Sequence, residues 1–145
     1  MKKFVSIMAV ALVAVLALTA LAACGGGYPD DPAKAKEKLE KDGYTILNYE
    51  YDEEAEEGIV AMISAQKVDG SKTKMVSIAY YATAAEAKAE YEDSKEEIEK
   101  TKKLIEAMAE AMDLEFSMKV TRSGRQLIVE MSGATELLEN MGGAF

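Results

Sequence analysis

Between Thr83 and Gly124 the chain contains neither glycine nor proline, the two residues that most strongly interrupt regular structure. The run opens with Thr83-Ala84-Ala85-Glu86, the pattern of a capping box, in which hydroxyl and carboxylate each accept from the other residue's backbone N–H. Behind it Ala84, Ala87, Tyr91, Ser94, Ile98, Thr101, Ile105, Met108 and Met112 recur in alternating steps of three and four. That is one stripe of an amphipathic helix. Glu96 with Lys100 and Glu99 with Lys103 supply favourable i,i+4 pairs on the wet side. The spacing predicts one helix from about Ala84 to Met112. About 29 residues at ~1.5 Å each span roughly 43 Å. An eight-residue strand covers only ~26 Å. The helix must therefore run diagonally, its far end covered by Leu137, Leu138, Met141 and the hairpin at Phe116, or it must overhang. In the second case Ile105, Met108 and Met112 form a partner surface, a role that suits the adaptable methionine side chain.

The segments around this helix read mostly as strands. Asp31-Pro32 gives an N-cap and a first helical residue, and Gly43 a left-handed stop. The intervening helix has a thin apolar face, Ala35 and Leu39, fit to lie on a sheet. Tyr44 to Tyr51, Ile59 to Val68 and Lys74 to Tyr81 are aromatic and β-branched or alternate in polarity, which are strand signals. Asp69-Gly70 marks a hairpin turn. After the long helix, Glu115 to Thr121 alternates with Phe116, Met118 and Val120 inward. A turn at Arg122-Ser123-Gly124-Arg125 returns the chain as Gln126 to Met131, and a short helix, Ala134 to Asn140, closes it. The order α-β-β-β-α-β-β-α predicts an α+β fold: an antiparallel sheet of about five strands with one long helix packed across a face. The apolar faces of the strands and the helical stripe are expected to form one core, with Tyr80 and Tyr91 buried and Tyr49, Tyr51 and Tyr81 exposed.

The amino terminus has another character. Lys2 and Lys3 precede an apolar run from Phe4 to Ala20, then Leu21-Ala22-Ala23-Cys24 and Gly25-Gly26-Gly27. The run is long enough to span a membrane. Its small residues, the glycine tether behind it and the lone cysteine after a cleavage pattern favour a removable targeting segment. A retained helix and simple secretion are the alternatives. The expected organisation is a signal peptide at 1–23, Cys24 with a flexible tether at 24–31, one α+β domain at 32–141 and a tail at 142–145. Removal of 1–23 leaves 122 residues, enough for one core. Losing Lys2 and Lys3 takes the formal charge from −9 to −11, which disfavours nucleic acid and anionic headgroups.

The chain has no histidine and one cysteine. Imidazole acid–base catalysis, Ser-His and Cys-His pairs and histidine metal ligands are excluded. A lone cysteine allows no disulfide within the chain. Nothing selects a carboxylate pair for catalysis, no phosphate loop occurs, and no cofactor is implied. The acidic loop Asp52-Glu53-Glu54-Ala55-Glu56-Glu57 lacks the spacing of a calcium site and reads as a solvated charge run. The seven tyrosines offer stacking platforms for a ligand or, equally, core.

The Leu21-Ala22-Ala23-Cys24 box, Leu39-Glu40-Lys41-Asp42-Gly43-Tyr44, the helix start Tyr81 to Tyr91 and the Ser123 to Val129 strand together resemble the small, functionally unassigned lipoproteins of Gram-positive bacteria. The box resembles their lipobox, with cleavage before Cys24 and diacylglyceryl and fatty-acyl (palmitate-type) modification of that residue. The resemblance implies a bacterial cell-surface protein held on the extracytoplasmic face of the cell membrane, and brings no catalytic motif. Two function classes follow: a binding or accessory module with a protein or small-ligand partner, or a solute-capturing lipoprotein serving a transporter. The second normally needs two lobes around a cleft.

Overall fold

The computed structural model describes residues 28–142, so the segment 1–27, the Leu21-Ala22-Ala23-Cys24 box within it and the tail with Phe145 lie outside the described residues. The elements are α1 (Pro32–Lys41), β1 (Thr45–Tyr51), β2 (Ile59–Asp69), β3 (Lys72–Tyr81), α2 (Ala84–Ala111), β4 (Phe116–Ser123), β5 (Gln126–Ala134) and α3 (Thr135–Gly142). The fold is α+β, one antiparallel sheet in the order β1-β2-β3-β5-β4 with helices packed on it.

Local chemistry sets the boundaries. Asp31 caps α1 by accepting from the Ala33 N–H, with Pro32 in the first turn. Gly43 follows at φ +89, which only glycine adopts cheaply. Thr83 and Glu86 complete the capping box of α2. At its far end Asp113 takes the left-handed conformation at φ 55 and the Leu114 N–H donates to the Ala109 carbonyl, which stops the helix.

Register divides the side chains into two faces. Ala61, Ile63 and Ala65 on β2 lie opposite Tyr80, Ile78 and Val76 on β3, which pair in turn with Gln126, Ile128 and Glu130 on β5. This face meets α1, whose Ala35 and Leu39 are fully buried. The other face carries Ala79 and Ser77 of β3, Leu127, Val129 and Met131 of β5 and Met118 of β4. It lies beneath α2, which runs from the Tyr81 end of β3 to the start of β4 and passes over β3, β5 and β4.

Helices flank the sheet on both faces, and the buried apolar side chains form one contiguous core cluster, as expected. That arrangement corrects the expectation for Tyr81. It lies on a strand covered on both faces and is buried at 4% exposure. Tyr80 is buried as expected, Tyr91 and Tyr49 are half-buried, and Tyr51 is exposed.

Candidate functional site

The far end of α2 departs from the strict stripe. Its buried residues are Ala87, Ser94, Ile98, Ile105 and Ala109. A straight helix drifts by roughly 20° per heptad against an exact seven-residue repeat, or about 80° over the four heptads from Ala84 to Met112. The contact line therefore passes from Ile105 to Ala109. Ile105 is 4% exposed, whereas Met108 and Met112 stand at 45% and 44%. Ile105 is core and no part of a partner surface; Met108 and Met112 stand open. Leu104, one turn before Met108, is the most exposed large apolar residue among those described, at 63%.

The two flanks of α2 face different parts of the sheet. Glu86 Oε1 accepts from the Gly58 N–H at 3.1 Å. Glu90 and Asp93 border an open depression of about 220 Å³ with Gly58, Ile59 and Tyr81. This flank looks toward β2 and β1. Glu97, Thr101, Leu104 and Met108, in successive turns beyond Asp93, share it, because positions three or four apart stack along a helix. Glu106, Glu110 and Asp113 lie on the opposite flank, beside Phe116 at the β4 edge.

The sheet beneath the first flank is only part-covered. Met62, Ser64 and Gln66 of β2 are half-buried on this face, and Val68 is 56% exposed. Asn48 and Glu50 of β1 are exposed beside them. A second open depression follows Glu50, Tyr51, Asp52 and Ile59 to Met62. The strand positions 48, 50, 62, 64, 66 and 68 and the flank positions 86, 90, 93, 97, 101, 104 and 108 include four carboxylates on the helix and one on the strands, Glu50, and no Lys or Arg. Lys67 and Lys74 point to the other face.

On the α1 face the tyrosines already have partners. Lys38 lies 5.5 Å from the Tyr28 ring centre, Lys36 5.6 Å from Tyr49, Lys67 5.9 Å from Tyr44 and the Arg125 guanidinium 5.6 Å from Tyr80. Such stacking contributes about 0.5–1 kcal/mol at exposed sites. These rings are structural rather than free platforms for a ligand. Tyr80 also donates its hydroxyl to the Pro29 carbonyl at 2.8 Å. Gln126 Nε2 donates to the carbonyls of Tyr28 and Pro29 at 2.7 and 2.9 Å, and Arg125 holds Asp30 through its carboxylate and its carbonyl. Burial, and then the Glu130 carboxylate, push the Tyr28 phenol far above its ordinary pKa. Burial and then Asp30 do the same to Tyr80, against the opposing effect of Arg125. Arg125, which local sequence reads as an ordinary turn residue, thus latches the start of the domain onto β5 across 95 positions; no local pattern announces such a contact.

The acidic loop after β1 is folded on itself, with Asp52 accepting from the Glu54 N–H at 3.0 Å. Among the described residues no three acidic or cysteine side chains converge as metal ligands, and no helix is long and apolar enough to cross a membrane. No family model, no curated protein and no solved structure was found to match the chain.

Proposed function

We propose that this chain is a lipid-anchored, extracytoplasmic binding module, held on the membrane through Cys24 and acting by presenting a surface rather than by catalysis. The observation that carries the reading is Leu21-Ala22-Ala23-Cys24 directly behind a basic start and an apolar run, with the only cysteine of the chain at its end. The architecture is consistent with it. The domain begins at Tyr28, four residues after Cys24, and residues 28–30 are fastened to β3 and β5. The absence of histidine and of a second cysteine removes the commonest catalytic groups, and the open flank beside α2 supplies a surface.

The test is metabolic labelling of cells with a fatty acid. Wild-type protein is expected to carry the label and to sediment with membranes. Cys24→Ser is expected to lose the label. Equal labelling of the two proteins would overturn the assignment.

A further inference from the structure

Among the described residues β4 is paired on one side only, so its outer edge ends the sheet. Hydrogen bonds alternate along an antiparallel pair. The Ala134 N–H donates to the Glu115 carbonyl, so by the register Ser117, Lys119 and Thr121 turn their backbone groups to β5. Phe116, Met118, Val120 and Arg122 turn theirs outward. Such an edge is a template for another strand. The opposite edge, β1, is broken by a register shift between Ile46 and Asn48, a common guard against pairing. β4 keeps an unbroken register from Phe116 to Ser123. We infer that β4 pairs antiparallel with β4 of a second copy of this chain, joining two five-stranded sheets into one. This deepens the proposed function by naming a partner and its surface, and it rests on the proposed anchor for the concentration that lets a narrow edge suffice.

The charges along this edge select the occupant. The register sets Phe116, Met118, Val120 and Arg122 on the α2 face. At the Phe116 end, Glu106, Glu110 and Asp113 line an open depression of about 340 Å³ beside the Phe116 ring. Glu115 next to it is held by Lys72. Among the described residues no lysine or arginine forms an ion pair with the other three carboxylates. At the opposite end Arg122 is exposed and donates to the Gly124 carbonyl at 3.4 Å; it forms no ion pair among the described residues either. An antiparallel pair reverses one copy against the other, so the Arg122 of each meets the acidic depression of the other. In the register centred on Lys119, Phe116 to Arg122 overlap completely, the outward backbone groups face one another, and Arg122 stands across from Phe116 of the second copy. A guanidinium is suited to a ring face and to carboxylates alike. The two Lys119 side chains meet at the axis, which costs repulsion, and each keeps Glu130 of its own β5 as cross-strand neighbour to offset it. A foreign strand would need a cation and an anion at this spacing; a second copy carries both by symmetry.

The two-fold axis of such a pair is normal to the sheet, so both α1 faces lie on one side. Residues 28–30 are fastened to that face. Two tethers from Cys24 therefore lead to one membrane, and confinement to one surface raises the effective concentration of the copies.

The experiment uses the full chain in cells, oxidised mildly with copper–phenanthroline and read on non-reducing gels. Facing residues whose backbones do not bond each other bring their Cα atoms to about 4.5 Å, within disulfide range. Lys119→Cys is therefore expected to give a covalent dimer. Lys34→Cys, on the exposed side of α1, is expected to give at least tenfold less, and the wild-type chain reports any contribution from Cys24. Added to Lys119→Cys, Arg122→Glu lowers the dimer at least tenfold, and Glu106→Arg with Glu110→Arg then restores it to within threefold. All three residues are exposed, so the circular dichroism of these variants stays native. Val120→Pro removes an outward N–H and no bond to β5, as an edge strand tolerates, and also lowers the dimer at least tenfold.

No dimer from Lys119→Cys would overturn the proposal. Equal dimer from Lys34→Cys would reduce the effect to crowding on the membrane and overturn it as well, as would a dimer that Arg122→Glu leaves unchanged or that the reversed charges fail to restore. A covalent product of Lys119→Cys with another protein, in place of the dimer, would also overturn it, since the occupant would then be a foreign strand. Fatty-acid labelling of Cys24 is read on the same cells. Labelled protein without dimer refutes this inference and leaves the anchor standing, whereas a Lys119→Cys dimer of unlabelled protein refutes only the anchor.

Discussion

Ile105 and Met108 sit three positions apart on α2 and belong to different environments. Ile105 is 4% exposed and Met108 45%. Replacing each by alanine separates the two. Ile105→Ala removes a buried aliphatic side chain between α2 and the sheet, and partial collapse leaves a cavity term as well; the expected cost is about 3 kcal/mol. Met108 has only about half of its surface to lose. Full burial of such a side chain contributes about 1.5–3 kcal/mol, so Met108→Ala should cost about 1 kcal/mol or less, reduced further by alanine's better helix propensity. For a domain of this size each kcal/mol moves the melting temperature by roughly 4 °C. Thermal unfolding followed by far-ultraviolet circular dichroism should then show a drop of roughly 12 °C for Ile105→Ala and at most a third of that for Met108→Ala. Equal losses would mean that Met108 is covered, and the drift argument for α2 would be wrong. No loss for Ile105→Ala would remove that residue from the core.

Two further outcomes follow from particular atoms. A Cβ on Gly133 would lie 2.8 Å from the Glu115 carbonyl oxygen and 3.4 Å from the Phe116 Cα; both are backbone, so Gly133→Ala should cost about 2 kcal/mol in a urea titration, while a cost within a few tenths would show that the strand entry yields. Burial holds the Tyr28 and Tyr80 phenols above their ordinary pKa, so above pH ~10 the unfolded chain releases protons that the native state keeps. Stability is full below that pH and falls above it, by up to about 1.4 kcal/mol per pH unit for each phenol. Urea midpoints between pH 8 and pH ~11 should show this slope, shallower in Tyr80→Phe; an identical slope in that variant would exclude Tyr80 as a source.

The elements were legible because their signals are local. Thr83 and Glu86 sit three positions apart and cap α2, and Asp31 and Pro32 open α1. Alternation in β4 placed Met118 inward. The sheet order was not legible, although β5 carries a hint. Gln126 to Met131 are all buried, and such a near-continuous run suits an interior strand covered on both sides. Tyr81 was misplaced for the same reason: alternation tells which residues share a face, not whether a helix covers it. The depression beside Glu90 and Asp93 was hidden because its lining comes from α2 and from Ile59 and Tyr81 of β2 and β3, whose proximity only the fold creates. The strict repeat put Ile105, Met108 and Met112 on one stripe, although Ile105 is buried and the two methionines are exposed, and it left Leu104 out.

The latch at residues 28–30 gives the anchor and the acidic flank of α2 a common geometry. Tyr80, Gln126 and Glu130 belong to the α1 face of the sheet, and the Tyr28 and Pro29 carbonyls are bound there. The chain therefore enters the domain on the side opposite α2. On the proposed lipid anchor, three glycines separate Cys24 from Tyr28, and the four residue steps between them reach at most about 14 Å when extended. The α1 side is then the side drawn to the headgroups. The acidic flank of α2 stands on the far side, beyond the roughly 8 Å over which anionic headgroups act at physiological salt. An anchor on the same side as α2 would press Glu90, Asp93 and Glu97 toward the membrane. Entry on the α1 face instead leaves the acidic flank of α2 facing the aqueous phase.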